Sequence, residues 1–235
     1  MPQLHNQINK LWYNPTYEKF KRSSFVKQIY VQKDSYDFIS TGAFLIKMAR
    51  KYSKTHIPWN QDRRLEILAN PRLENALFSL GAEYLIKGVF LNKGFAVNKP
   101  LKGANFADYP IRISKNKGKL DRSDVQTLRY FIKNIDKVID FTNFDNKQKK
   151  EEKKEKDKVK GQGLTGITRL TIPYQKSQIL LDYVLFKRNF SLHRPFIMPE
   201  FVGLTNQIFD FLNYIAKNGC GKTIIELAKL KSIMT

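Results

Sequence analysis

Residues 72–93, RLENALFSLGAEYLIKGVFLNK, constrain this chain more than any other stretch. They are apolar over a broad helical stripe and stop at Gly94, a residue suited to the position just past a helix end. Such a segment predicts a central buried helix around which the rest must pack. From Asp34 onward, Tyr36, Phe38, Ile39, Leu45, Ile46, Met48, Ala49 and Tyr52 recur near the helical period of about 3.6 residues. Pro71 sits where it can open the central helix, and Ser123 with Gln126 makes a capping-box pattern ahead of an amphipathic run to Phe141. Helical patterns resume over 174–190, 200–217 and 222–233. Residues 95–120, rich in Gly, Pro, Asn and Lys, read as a long connection, and 161–173 suggests a short strand through Ile167, Leu170 and Ile172. Together these signals predict an all-α domain.

Two segments fall outside that pattern. Residues 147–160, KQKKEEKKEKDKVK, carry eight lysines and four acids with one apolar residue, so they have nothing to bury and read as a disordered, solvated loop. Residues 10–33 interleave Trp12, Tyr13, Tyr17, Phe20, Phe25 and Tyr30 with basic side chains, a composition that suits either stacking on bases or clamping rings onto a core. The expected organisation is a basic, aromatic N-terminal segment at 1–33 and a helical domain at 34–235, with the charged insertion at about 145–162.

The chain has 42 Lys and Arg against 21 Asp and Glu, a net charge of +21, which points to a polyanionic partner and to RNA or another nucleic acid in particular. With 42% hydrophobic residues the chain should fold, yet no apolar run approaches the roughly 20 residues of a membrane span. The opening MPQLHNQINK lacks an apolar signal core, and the single cysteine, Cys220, rules out an internal disulfide framework. These features predict a soluble cytoplasmic protein with no membrane partner. One cysteine and three scattered histidines give no zinc spacing, so no metal site and no cofactor are expected. The run Ala216-Lys-Asn-Gly-Cys-Gly-Lys-Thr223 is similar to a phosphate-binding loop but has alanine in place of the first glycine, and it reads as a turn between helices.

The chemistry concentrates near the end of one apolar run, where Arg188, Asn189 and His193 fall within six positions. A guanidinium can hold a phosphate in a planar fork, and an imidazole exchanges protons near neutral pH. This stretch, Arg188-Asn189-Phe-Ser-Leu-His193, resembles the signature of the HEPN superfamily, an arginine followed after four to six residues by a histidine, often with a polar residue directly after the arginine. The central helix also resembles the family's second helix, with Glu83 and Lys87 four apart ahead of a glycine turn. The resemblance covers residues 34–217 loosely. It implies an antiparallel helical bundle, here with extra N- and C-terminal segments. It implies a homodimer with facing motifs, and a metal-independent ribonuclease of antiviral, toxin or RNA-processing systems. An antitoxin or other defence-system protein would then be a further partner. Some toxin members place a tyrosine two residues after the histidine; Pro195 stands there in this chain, which excludes modification at that site.

On this reading the reaction is attack of the ribose 2′-OH on its own phosphate, giving 2′,3′-cyclic phosphate ends. His193 would exchange the proton, Arg188 would hold the phosphate, and Asn189 would orient either group. One histidine cannot readily serve as both base and acid, which is a second reason to expect a dimer. Glu83 and Lys87 would have a supporting role, or form an ordinary intrahelical pair. Residues five apart on a helix point about 140° away from each other. Pro195, which disfavours helix at Arg194, is therefore expected to leave His193 at a bend. A second match to the spacing, Arg50-Lys-Tyr-Ser-Lys-Thr-His56, has Lys51 after its arginine and precedes the central helix, so the site is assigned to Arg188 and His193. The alternatives to catalysis are a non-catalytic nucleic-acid-binding protein and a partner-interaction module.

Overall fold

A computed structural model describes residues 34–53, 64–161, 174–193 and 204–232. The N-terminal aromatic segment at 1–33, His56, the candidate strand at 161–173 beyond its first residue, and Pro195 lie outside the described residues. The chain is mostly helical, as expected. In order the elements are α1 (Asp34–Ser53), α2 (Arg64–Asn92), β1 (Asn98–Pro100), α3 (Ile113–Asn116), β2 (Leu120–Val125) and α4 (Leu128–Asn134). They are followed by α5 (Thr142–Gly161), α6 (Ser177–His193), α7 (Leu204–Cys220) and α8 (Ile224–Ser232), with 3-10 turns at Lys117–Lys119 and Ile135–Lys137.

The second helix is the centre of the molecule. From Gly81 to Leu91 every residue except Tyr84 is buried, because α1, α4, α6 and α7 all pack against it. Leu85, Ile86, Val89 and Phe90 are fully buried, each contributing roughly 1.5–3 kcal/mol by leaving water. A pair of charges four apart on a helix contributes only a few tenths of a kcal/mol, so the apolar residues decide where α2 sits and Glu83 and Lys87 are carried inside with it. The helix ends as expected, with Gly94 at a φ of +81°. It starts earlier than expected, at Arg64, so Pro71 lies within it rather than at its first turn.

Glycines set the closest crossing. A Cβ on Gly42 of α1 would stand 2.5 Å from the Leu85 nitrogen, and one on Gly88 of α2 would stand 2.8 Å from the Ile39 nitrogen. The backbones of α1 and α2 therefore touch, and Ile39, Ala43, Ile46 and Ala49 of α1 are buried along the seam. At the far end of α2, Asn92 donates a 2.9 Å hydrogen bond to the Gly219 carbonyl, which ties α2 to the end of α7. Phe131 of α4 meets Phe90 edge-on at 5.0 Å.

Three local expectations need correction. Ser123 lies in β2, and helix α4 begins only after Thr127, which makes no side-chain cap, so the Ser123 and Gln126 capping box does not form. The Gln126 amide instead donates to the Val97 carbonyl, extending the pairing of β1 with β2. The long connection at 95–120 contains β1, α3 and the start of an antiparallel ribbon in which Asn98 pairs with Val125 and Pro100 with Leu120. The charged tract is a helix, α5, and not a disordered loop. Lys and Glu are good helix formers, and the tract spaces them to pair along its own surface: Lys154 to Glu151 at 2.8 Å and Lys156 to Glu152 at 2.7 Å. Phe144, packed on Phe211 and Tyr214, anchors the first turn, while 153–157 remain exposed as the composition implies. The Gly221 turn joins α7 to α8, and Thr223 with Glu226 forms a reciprocal capping box there, so the run like a phosphate loop is a helix junction.

Candidate active site

Helix α2 places Glu83 and Lys87 one turn apart, and α6 brings Arg188 against the same face. Because α2 is buried on all sides, its two charges cannot turn to water and need partners within the protein. Lys87 Nζ donates to Glu83 Oε1, and Arg188 Nε donates to Glu83 Oε2 at 3.1 Å. One carboxylate thus bridges two cations, one from its own helix and one from 105 residues away. The Arg188 side chain is 27% exposed against 11% for Glu83 and for Lys87, so the guanidinium stands at the boundary between core and solvent. Its Nη1 reaches the exposed Asn189 at 3.4 Å, which aligns the two neighbours.

The electrostatics follow from this arrangement. Burial pushes the Glu83 carboxyl up, but the hydrogen bond and charge of Lys87, and then those of Arg188, outweigh it and hold the group below its ordinary value. Glu83 therefore stays ionised and fixes both cations. Lys187, adjacent to Arg188, is buried with its Nζ 5.0 Å from the Phe78 ring and 5.9 Å from that of Tyr183, both within cation–π range. Sequence reasoning missed Lys187 because a lysine at the polar end of an amphipathic helix gives no signal that a ring from another helix covers it.

Helix α6 continues through His193, its last residue. The residues on which the expected bend depends, Arg194 and Pro195, lie outside the described ones; along α6 the histidine position is rotated about 140° from Arg188 and displaced about 7.5 Å along the axis. The structure brings together Glu83, Lys87 and Arg188, with Asn189 bonded to Arg188; His193 is the last residue of α6. In the second match to the spacing, Arg50 packs its guanidinium carbon 3.9 Å from the Phe209 ring centre, a packing role that joins α1 to α7.

Other groups contribute less. A recess of about 730 Å³ between α4, the start of α5 and α6 is lined by Asp136, Asp140, Asp145 and Asp182 but does not include Arg188. Two of those carboxylates hold helix starts: Asp140 accepts from Thr142, and Asp145 accepts from the backbone and hydroxyl of Ser177. Among the described residues no group of three or more His, Cys, Asp or Glu is arranged to hold a metal ion, and no helix is long and apolar enough to cross a membrane. Burial pushes the Cys220 thiol up to about 11, far from nucleophilic at neutral pH. No known protein family, curated protein or solved structure matches the chain, so its function has to be argued from the residues themselves.

Proposed function

We propose that this chain is a metal-independent endoribonuclease of the HEPN type, cleaving RNA by 2′-OH attack to leave 2′,3′-cyclic phosphate ends. The observation that carries the reading is the 3.1 Å bond from Arg188 Nε to Glu83 Oε2. It joins the two stretches that resemble the family, and it does so with a partly exposed guanidinium whose orientation is held by a buried carboxylate. Glu83 occupies the Nε edge, so a scissile phosphate meets Arg188 through its terminal nitrogens, while Lys87 completes the neutralisation of Glu83. These two are positioning residues. Arg188 holds the phosphate, Asn189 orients it, and His193 moves the proton.

A single chain has one His193 per Arg188, and the two diverge along α6. A homodimer resolves this by presenting the His193 of one copy to the Arg188 of the other. The same resemblance places the activity in antiviral defence or a toxin–antitoxin system, with an antitoxin or other defence-system protein as regulator.

A second reading has one specific observation in its favour. Arg188 paired to Glu83 is also what a purely structural ion pair looks like, and the fold would then serve as a non-catalytic RNA-binding or partner-interaction module. Arg188→Lys separates the two. Lysine keeps a charge near Glu83 but lacks the planar fork, so the nuclease reading expects cleavage to fall by about 10²-fold or more with melting temperature nearly unchanged. A protein that binds RNA and never cleaves it, with or without this substitution, favours the module.

A further inference from the structure

Between α2 and α4 the chain leaves the helical core for 35 residues and folds into the β1–β2 ribbon, the Phe95 and Arg112 bridge, and the loop that carries Phe106 and Tyr109. This excursion and the turn after α4 enclose a groove of about 510 Å³. Its lining combines two kinds of group. Phe106 and Tyr109 stand edge to face at 6.4 Å, and Tyr109 in turn meets Tyr130 at 6.2 Å, so the ring is fixed from both sides while it remains 42% exposed. Around the rings are Arg112, Lys119 and Lys137, with Asp108 as the only acid in the lining. Lys137 Nζ also donates to the Tyr109 carbonyl at 2.8 Å, holding the loop against the end of α4. The wider segment 93–137 carries eleven Lys and Arg against four Asp, and one of those acids, Asp124, is paired to Lys99 at 2.9 Å.

A core aromatic would be covered. Tyr109 is instead immobilised with its surface open, in a groove of positive charge and of the size that takes a small ligand. Fixed aromatic rings interleaved with cations are what an unpaired nucleic-acid strand needs: bases stack on the rings, and phosphates follow the charges. An acidic peptide would satisfy the cations but leave the rings without a use, and a duplex would keep its bases away from them.

We propose that this groove is a docking site for single-stranded RNA, in which Tyr109 and Phe106 stack bases while Arg112 and Lys119 hold the backbone. The proposal rests on the RNA reading given above and deepens it.

The test uses the full chain and a fluorescent single-stranded oligoribonucleotide with 2′-O-methyl riboses, which can be bound but cannot be cleaved by 2′-OH attack. Tyr109→Ala is expected to weaken binding about tenfold, and Tyr109→Phe, which keeps the ring, to bind within twofold of wild type. Arg112→Gln with Lys119→Gln is expected to weaken binding and flatten its salt dependence. Tyr109→Ala binding as tightly as wild type, or polyglutamate of matched charge binding as tightly as the oligonucleotide, overturns the proposal. Cleavage of unmodified RNA is measured separately. Binding lost on Tyr109→Ala in a protein with no nuclease activity leaves the groove standing and removes the nuclease reading. Normal cleavage with Tyr109→Ala neutral in both assays does the reverse, and a wild-type chain that binds no single-stranded RNA at physiological salt ends both.

Discussion

Glu83 is the residue on which both stability and the proposed chemistry turn. Removing it leaves Lys87 buried without its carboxylate and releases Arg188. Breaking a buried pair this way costs about 3–5 kcal/mol, and the partial exposure of Arg188 reduces that, so Glu83→Gln is expected to lower unfolding free energy in urea by about 2–3 kcal/mol. A loss below about 0.5 kcal/mol would mean the bridge carries no weight. The pH dependence has a definite sign. The carboxyl of Glu83 is depressed in the folded state, so its stabilisation is complete above the ordinary value of 4.5 and is lost as pH falls through the lower folded value. The gap between wild type and Glu83→Gln should therefore be constant near neutrality and narrow below pH 4.5, which urea titrations at a series of pH values read directly. At the site itself, His193→Ala should abolish cleavage with folding and RNA binding kept, while His56→Ala should leave all three unchanged. The reverse outcome, measured by initial rates on one RNA, moves the site to the second match.

The crossing of α1 and α2 is set by glycine, and its energetics can be tested by contrast. Gly42→Ala forces a Cβ to within 2.5 Å of backbone that cannot move aside, so the helices must separate, at an expected cost of about 2–3 kcal/mol. Gly118→Ala meets nothing within 4 Å and should stay within about 0.5 kcal/mol of wild type. Equal melting temperatures for the two variants would refute the close-contact account. Among the elements, α2 was legible because its apolar residues run almost unbroken to Gly94, and the α7–α8 junction because Ala216 stands where a phosphate loop needs its first glycine. The helix at 147–160 is hidden from the sequence because a tract without apolar residues has the same composition whether it is a helix or a loop. A helix anchored at Phe144 and at the buried Gln148 needs no apolar face further on when its Lys and Glu pair along it. The capping pattern at Ser123 failed because β1 captured the same backbone for a ribbon, a long-range competitor that local spacing does not reveal. At the site, Glu83 with Lys87 was visible as a pair, but the arrival of Arg188 depended on how α6 packs on α2, which no local pattern encodes.

At the scale of the whole molecule, the proposed RNA partner together with the net charge of +21 means that affinity for single-stranded RNA should fall steeply between low and physiological salt. A flat dependence would remove the electrostatic argument. On the proposed reading, the separation of Arg188 and His193 along α6 calls for two copies to complete the site. Sedimentation should accordingly find a dimer, and a strictly monomeric chain with full activity would contradict the shared site. The central claim, cleavage by side chains alone, is tested most directly by incubating the pure protein and its His193→Ala variant with mixed RNA in excess EDTA and analysing the ends formed. The account predicts wild-type cleavage undiminished by the chelator, with 2′,3′-cyclic phosphate termini, and none by the variant. Strict dependence on added Mg²⁺, or equal cleavage by the variant, would contradict it.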